Sequence, residues 1–442
     1  GKAWVFNLRK GVKFHDGREF KADAVKFSFD RLMALGKGPS GLFKGLEKVE
    51  VVNDHTVRFH LDSTIGPWLR IMANIKGPYI VNPNVMKHER KKSGKGDYAQ
   101  AWMSQNGAGT GPYKLVRWDK GQQLIYERNK DYWDKSVDPD KAFDRVILKI
   151  IREDVNQRLA LTSGKADLLV RSMSPLEFDK AKESPIVTTM VKKSTLVNMI
   201  EFNLGVSPTN NRKFRMAVAH AFDYDGYIKH VQRGYASRVR GIVPSMMPGR
   251  DPTAAMPSRD LAKARQYLKE SGVDLSKVDL ELNYTKGPKW VRQTIELLQS
   301  SLKEIGVKSH TSSSSYVSMI GKWQKAATRG SLYTRYDSPS LIDPYALVDK
   351  VYRSGKSWNL SGYKSNEVDR LLEIGRTSMD DNVRMGAYKK AHKIISGEYP
   401  AIYTHQGPGL FAHNKKLKNV IYNPGRFQGW YFREMHWEGA TN

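Results

Sequence analysis

Trp4-Val5-Phe6-Asn7-Leu8-Arg9-Lys10-Gly11-Val12-Lys13-Phe14-His15-Asp16-Gly17, followed by Ala22-Asp23-Ala24-Val25-Lys26-Phe27-Ser28-Phe29, is the stretch from which the fold is read. Trp4 to Leu8 is rich in β-formers, and Val12-Lys13-Phe14 alternates before the Asp16-Gly17 turn dipeptide. From Ala22 to Met33 the spacing becomes helical, with Val25, Phe29 and Leu32 on one face. Two hairpins follow on the same logic. Val49-Glu50-Val51-Val52 pairs with Thr56 to Leu61 around Asn53-Asp54, and Tyr113 to Val116 with Leu124 to Tyr126 around Asp119-Lys120-Gly121. The first 150 residues thus read as mainly β, with a few helices.

Beyond residue 145 strands and helices alternate. Val146 to Ile151 reads as a strand, Asn156 to Ser163 as a helix stopped by Gly164, and Ala166 to Val170 as a strand. This strand–helix–strand unit predicts an α/β domain. Further helices are expected at Arg212 to Phe222, Tyr227 to Gln232, Leu261 to Glu270, Val368 to Ile374 and Arg384 to Ile395, with a strand at Leu280 to Tyr284. Val291, Ile295, Leu298, Leu302 and Ile305 recur at four- and three-residue steps, an amphipathic stripe ended by Gly306. Leu417 to Trp437 is irregular and aromatic and suits a closing strand. An α/β domain entered late and closed by the last residues predicts a discontinuous architecture.

The 442 residues carry 73 Lys and Arg against 45 Asp and Glu, a net charge of +28, and no cysteine. A disulfide framework, a thiolate metal site and a cysteine nucleophile are therefore excluded. The charge admits two readings, an anionic partner such as nucleic acid or a solvated basic exterior. Because it is spread along the whole length and follows no groove-binding motif, no nucleic-acid partner is expected. No apolar run is long enough to span a bilayer. The chain opens Gly1-Lys2-Ala3-Trp4, with no charged leader and apolar stretch of a signal peptide.

The opening stretch resembles the signature of the large extracytoplasmic solute-binding proteins of ABC importers, the peptide/nickel-binding family (family 5). Later segments agree in order: Gly109-Thr110-Gly111-Pro112-Tyr113, Arg128-Asn129-Lys130-Asp131-Tyr132-Trp133, Phe202-Asn203 through Pro208 to Arg215-Met216-Ala217, Ala221-Phe222-Asp223, Asp343-Pro344, and Ser361-Gly362-Tyr363 to Glu367-Val368-Asp369. The resemblance implies an α/β, two-lobed periplasmic-binding-protein fold of class II type with an additional β-rich domain. It places that domain at 1–142, a first α/β lobe at 143–215 and 418–442, and a second at 216–417, with solute held in an interlobe cleft that closes by a hinge. Such proteins carry a segment before the Trp4-like strand, so a leading segment is expected to be missing from this sequence.

Chemistry-bearing motifs are few. Gly107-Ala108-Gly109-Thr110-Gly111-Pro112 lacks the third glycine of a dinucleotide fingerprint and reads as a turn before the Tyr113 strand. His15-Asp16 is a turn element before it is an acid–base pair. There is no His-Glu-x-x-His pair and no Gly-x-Ser-x-Gly elbow, so neither a metal, a cofactor nor a catalytic residue is expected.

The informative stretch is Tyr333-Thr334-Arg335-Tyr336-Asp337-Ser338-Pro339-Ser340 with Asp343-Pro344. In peptide binders of the resembled family an Asp three residues before the acidic-Pro pair holds the ligand ammonium; here that position is Ser340. A neutral hydroxyl cannot form that charged hydrogen bond, unless Asp337 substitutes. Arg335 is a candidate anion partner, and Trp358-Asn359 offer an aromatic face and an amide. The ligand-facing residues expected are Arg335, Tyr336, Asp337, Trp358 and Asn359, joined by Tyr284 and Met199 from strands that reach the cleft in similar proteins; the alternatives are a surface arginine, a packing Trp358, and a stretch that merely forms a lobe strand and its turn. The expected function is a non-enzymatic, periplasmic or otherwise extracytoplasmic receptor, monomeric, that carries a small polar solute to an ABC permease. That solute is a peptide or peptide-like compound, acidic if Arg335 is free; an opine, oligosaccharide or sugar phosphate is the alternative. A nucleic-acid binder and a hydrolase stand further off.

Overall fold

The computed structural model describes residues 1–74, 77–92, 95–136, 141–424 and 429–439. The closing segment expected at 418–442 falls partly outside them. Residue contacts divide the chain into two units: residues 1–170, 184–188 and 413–442, and residues 171–183 and 189–412.

In the first unit β1 (Ala3–Asn7), β2 (Leu46–Asn53) and β3 (Thr56–Leu61) form an antiparallel sheet of order β1-β3-β2. Helix α1 (Ala22–Leu35) packs on it and ends at Gly36, whose φ of 60° suits a left-handed cap. Phe29, Phe43, Phe59 and Trp68, at most 1% exposed, meet edge to face with centroids 4.9–6.0 Å apart. The His15-Asp16-Gly17 segment is a turn: Asp16 accepts from the Arg18 amide, and His15 Nε2 lies 3.0 Å from the Gly111 carbonyl. Asn129 Nδ2 also donates to that carbonyl, so the glycine run is a pinned turn before the next strand.

That strand, β4 (Tyr113–Asp119), forms a meander with β5 (Gln123–Arg128) and β6 (Arg145–Lys149). Here the expected α/β seed is corrected. β6 pairs antiparallel with β5 and alternates exposed with half-buried residues, the mark of a one-sided sheet. A helix does follow, at Asp154–Thr162, but residues 166–170 make only one bridge, Leu168 to His413.

The parallel α/β core lies in the second unit. Its sheet has the order β9-β8-β10-β7-β11, from β7 (Val197–Phe202), β8 (Asp279–Thr285), β9 (Lys308–Ser314), β10 (Leu332–Asp337) and β11 (Ala401–Gln406). β8 runs parallel to β9 and β10, and β7 is antiparallel to its neighbours β10 and β11. Every residue of β7 is buried, as a central strand covered on both faces requires.

One face of the sheet packs Ile200, Phe202, Leu280 and Leu282 against α2 (Arg212–Ala221), α3 (Leu261–Ser271) and α4 (Lys289–Glu304). The predicted stripe on α4 is this contact, with Val291, Ile295, Leu298 and Leu302 at most 4% exposed. Burying each such side chain contributes about 1.5–3 kcal/mol. The other face packs Val197, Met199 and Tyr403 against α5 (Val348–Tyr352), α6 (Asn366–Thr377) and α7 (Asp381–Glu398). A division at 215/216 would separate β7 from the four strands it is sheeted with, and would place β6 in a lobe whose strands it does not join.

Candidate functional site

Val197 at the start of β7 stands opposite Asp337 at the end of β10 and Gln406 at the end of β11. The carboxyl ends of β8, β9, β10 and β11 therefore share one rim of the sheet, with β7 reversed between two of them. In open α/β sheets, ligand sites form outside such carboxyl ends, where the chain direction or order switches.

β10 brings three expected residues, Arg335, Tyr336 and Asp337, to this rim. Successive side chains of a strand point to opposite faces, so Arg335 and Asp337 lie toward α5–α7 and Tyr336 toward the other face. Arg335 Nη1 donates to Glu201 Oε2 at 2.9 Å and to the Trp358 carbonyl at 3.1 Å; Nη2 donates to Asp337 Oδ2 at 2.8 Å. Tyr333 Oη donates to the same Glu201 oxygen at 2.5 Å. Lys350 Nζ, from α5, donates to both Asp337 oxygens at 2.8 and 2.9 Å.

Two acids and two bases are thus closed on one another. Burial opposes the charge on Arg335, yet Glu201 and Asp337 beside it hold its pKa well above the ordinary arginine range. Burial likewise opposes the Asp337 carboxylate, and Lys350 and Arg335 outweigh it and lower the pKa. Arg335 is therefore not an unneutralised anion site, and the acidic-solute expectation that rested on it loses its footing.

The remaining expected residues divide by exposure. Trp358 and Tyr336, 38% and 45% exposed, present aromatic surface at the rim, and the Trp358 ring lies 5.1 Å from Lys350 Nζ. Tyr284 is half-buried against the α2–α4 core. Met199 stands opposite Arg335 on β7 and is 2% exposed, because the pleat turns it into the core under α5–α7. Asn359 is spent on its own loop: Nδ2 donates to the Arg353 and Tyr363 carbonyls at 3.1 and 2.7 Å, and Oδ1 accepts from the Tyr363 amide at 3.0 Å. The structure gives Met199 and Asn359 packing and loop-forming roles. Asp343 is also structural, accepting two bonds from buried Arg384 and one from the Tyr345 amide.

Three residues of the site were not anticipated. Glu201 had a signal, a lone acid inside the apolar run Val197–Phe202. Lys350 and Tyr316 had none. Tyr316 is half exposed and follows β9, whose carboxyl end lies on this rim; its phenol pKa is raised by burial and then by Tyr336 and Asp337. Among the described residues no group of three or more His, Asp or Glu side chains is arranged to hold a metal ion.

A family model described as bacterial extracellular solute-binding proteins, family 5 middle, matches residues 1–359. The chain is 30% identical over 440 residues to the "Probable D,D-dipeptide-binding periplasmic protein" of Escherichia coli, covering 96% of this chain and 80% of that protein. It is 24% identical over 462 residues to the dipeptide-binding protein of the same organism, covering 96% and 82%. Among solved structures, the Helicobacter pylori ABC transporter-associated periplasmic binding protein in complex with peptide STSA superposes with a TM-score of 0.85 at 23% identity, covering 99% of this chain and 87% of that one. A Campylobacter jejuni protein solved with Ni(L-His) gives 0.86 at 21% identity, covering 99% and 88%. These two structures bear on the fold alone.

Proposed function

The chain belongs to the bacterial extracellular solute-binding proteins, family 5, and from that premise we propose that its solute is a short peptide, a D,D-dipeptide foremost. Its fold is the two-lobed one of that family. As a member it is a substrate-binding receptor of an ABC importer and not an enzyme. No described helix is long and apolar enough to cross a membrane, and the proposed location is the extracytoplasmic space in which such receptors act.

One observation carries the choice of solute: 30% identity over 96% of the chain to a protein described as D,D-dipeptide-binding, against 24% to a dipeptide-binding one. The rim chemistry supports it. A dipeptide needs a partner for an ammonium and a surface for a small apolar body; Trp358, Tyr336 and Tyr316 offer the surface, and Asp337, held by Arg335 and Lys350, is a carboxylate at this rim. Capture between lobes with hinge closure remains part of the proposal; the solute shifts that equilibrium only by its difference in affinity for the two states. The receptor is proposed to act as a monomer, which size-exclusion chromatography with light scattering tests.

Isothermal titration with D-alanyl-D-alanine, L-alanyl-L-alanine and nickel-histidine tests the solute. Tightest binding of the D,D-dipeptide supports the proposal. Saturable binding of nickel-histidine with neither dipeptide bound would replace it with the metal-chelate reading.

A further inference from the structure

Resting on the short-peptide reading above, we propose that Lys350 is a built-in stand-in for the solute's ammonium: a free-amine peptide binds by taking its place on Asp337. The Lys350 ammonium sits within 2.9 Å of both Asp337 oxygens and 5.1 Å from the Trp358 ring centroid. A carboxylate on one side and an indole face on the other form a recognition set for any alkylammonium.

The two cations on Asp337 differ in exposure. Arg335 is 7% exposed and is also bound by Glu201 and the Trp358 carbonyl, so it is fixed. The Lys350 side chain is 30% exposed, on a flexible four-carbon stem, and can swing its charge into water without moving the backbone. Charge then dictates exchange in place of addition. Arg335 balances Glu201 and Lys350 balances Asp337, so a third cation would leave a net positive charge in a layer shielded from water. Replacing Lys350 keeps the balance.

The pair therefore holds Asp337 paired when no solute is present and sets a threshold that only an ammonium overcomes. A peptide blocked at its amino terminus cannot make the exchange.

Calorimetric titration of D-alanyl-D-alanine and its N-acetyl form into wild type, Lys350→Met and Lys350→Arg tests this. Removing the competing ammonium is expected to tighten free-amine binding about tenfold in Lys350→Met and leave the N-acetyl form unchanged, whereas Lys350→Arg, whose guanidinium holds Asp337 bidentately, is expected to weaken free-amine binding. Lys350→Gln, which keeps a neutral donor on Asp337, gives the same reading if the methionine variant is unstable. Unchanged or weaker free-amine binding in both neutral variants overturns the exchange while leaving the peptide reading intact. No binding of either peptide by any form contradicts the peptide reading and the exchange together.

Discussion

Arg335 and Glu201 meet at 2.9 Å between the sheet and the α5–α7 layer, with 5% and 0% of their side chains exposed. They sit 134 residues apart in the chain and are joined only because β10 and β7 pair in one register. Removing one partner of such a pair strands the other charge. Glu201→Gln is expected to cost about 3–5 kcal/mol, whereas replacing both partners by apolar residues costs much less. Urea unfolding of the single and double variants measures the difference.

Trp358 and Asn359 are neighbours with opposite tasks. Trp358→Ala removes exposed aromatic surface and is expected to weaken dipeptide binding by more than about tenfold, at little cost in melting temperature. Asn359→Ala breaks four hydrogen bonds of the 353–363 loop. Its first effect is on stability, about 1–3 kcal/mol. Calorimetry and thermal melts of both variants separate the roles.

Among the described residues, buried Arg215 has no carboxylate at hydrogen-bond distance. Its guanidinium donates to the carbonyls of Thr209, Asn210, Glu398 and Tyr399 at 2.7–3.2 Å, so it closes the carboxyl end of α7. Burial lowers its pKa to about 10. A lysine cannot reproduce this fork, so Arg215→Lys is expected to lower the melting temperature by several degrees while retaining the charge.

Two buried histidines set an acid limit. Burial lowers His405 from its ordinary 6.5 to about 3; burial, and then Arg250, lower His392 to about 4. Below 6.5 the unfolded chain takes up protons that the folded chain refuses. Stability is therefore full above that pH and falls as the medium is acidified toward 4 and 3. Each histidine contributes a slope of roughly 1.4 kcal/mol per pH unit. Urea midpoints measured from pH 7 to 4.5 are expected to fall less steeply in His405→Gln.

The α4 stripe was legible because helix burial is a local periodicity, written in five residues from Val291 to Ile305. The partner of β6 was not, since the apolar run Val146–Ile151 pairs equally well in a parallel or an antiparallel sheet. Arg335 and Asp337 were read from the stretch before Asp343-Pro344 and Trp358 from its place before Gly362-Tyr363, and the fold brings all three to one rim. That Arg335 is already neutralised depended on Glu201, and that Asp337 is already paired depended on Lys350, contributed by other elements whose placement follows from strand register and helix docking. The packing of Met199 and the loop bonds of Asn359 were hidden for a similar reason: a side chain's occupation is decided by what the fold packs against it.

The most direct measurement is titration of freshly unfolded and refolded protein, stripped of any carried solute, with D-alanyl-D-alanine. Saturable binding at one site per chain, lost or weakened more than about tenfold in Trp358→Ala, is the predicted result. No heat of binding and no stabilisation with this or any other dipeptide, in a chain that has regained its fold, would contradict the account.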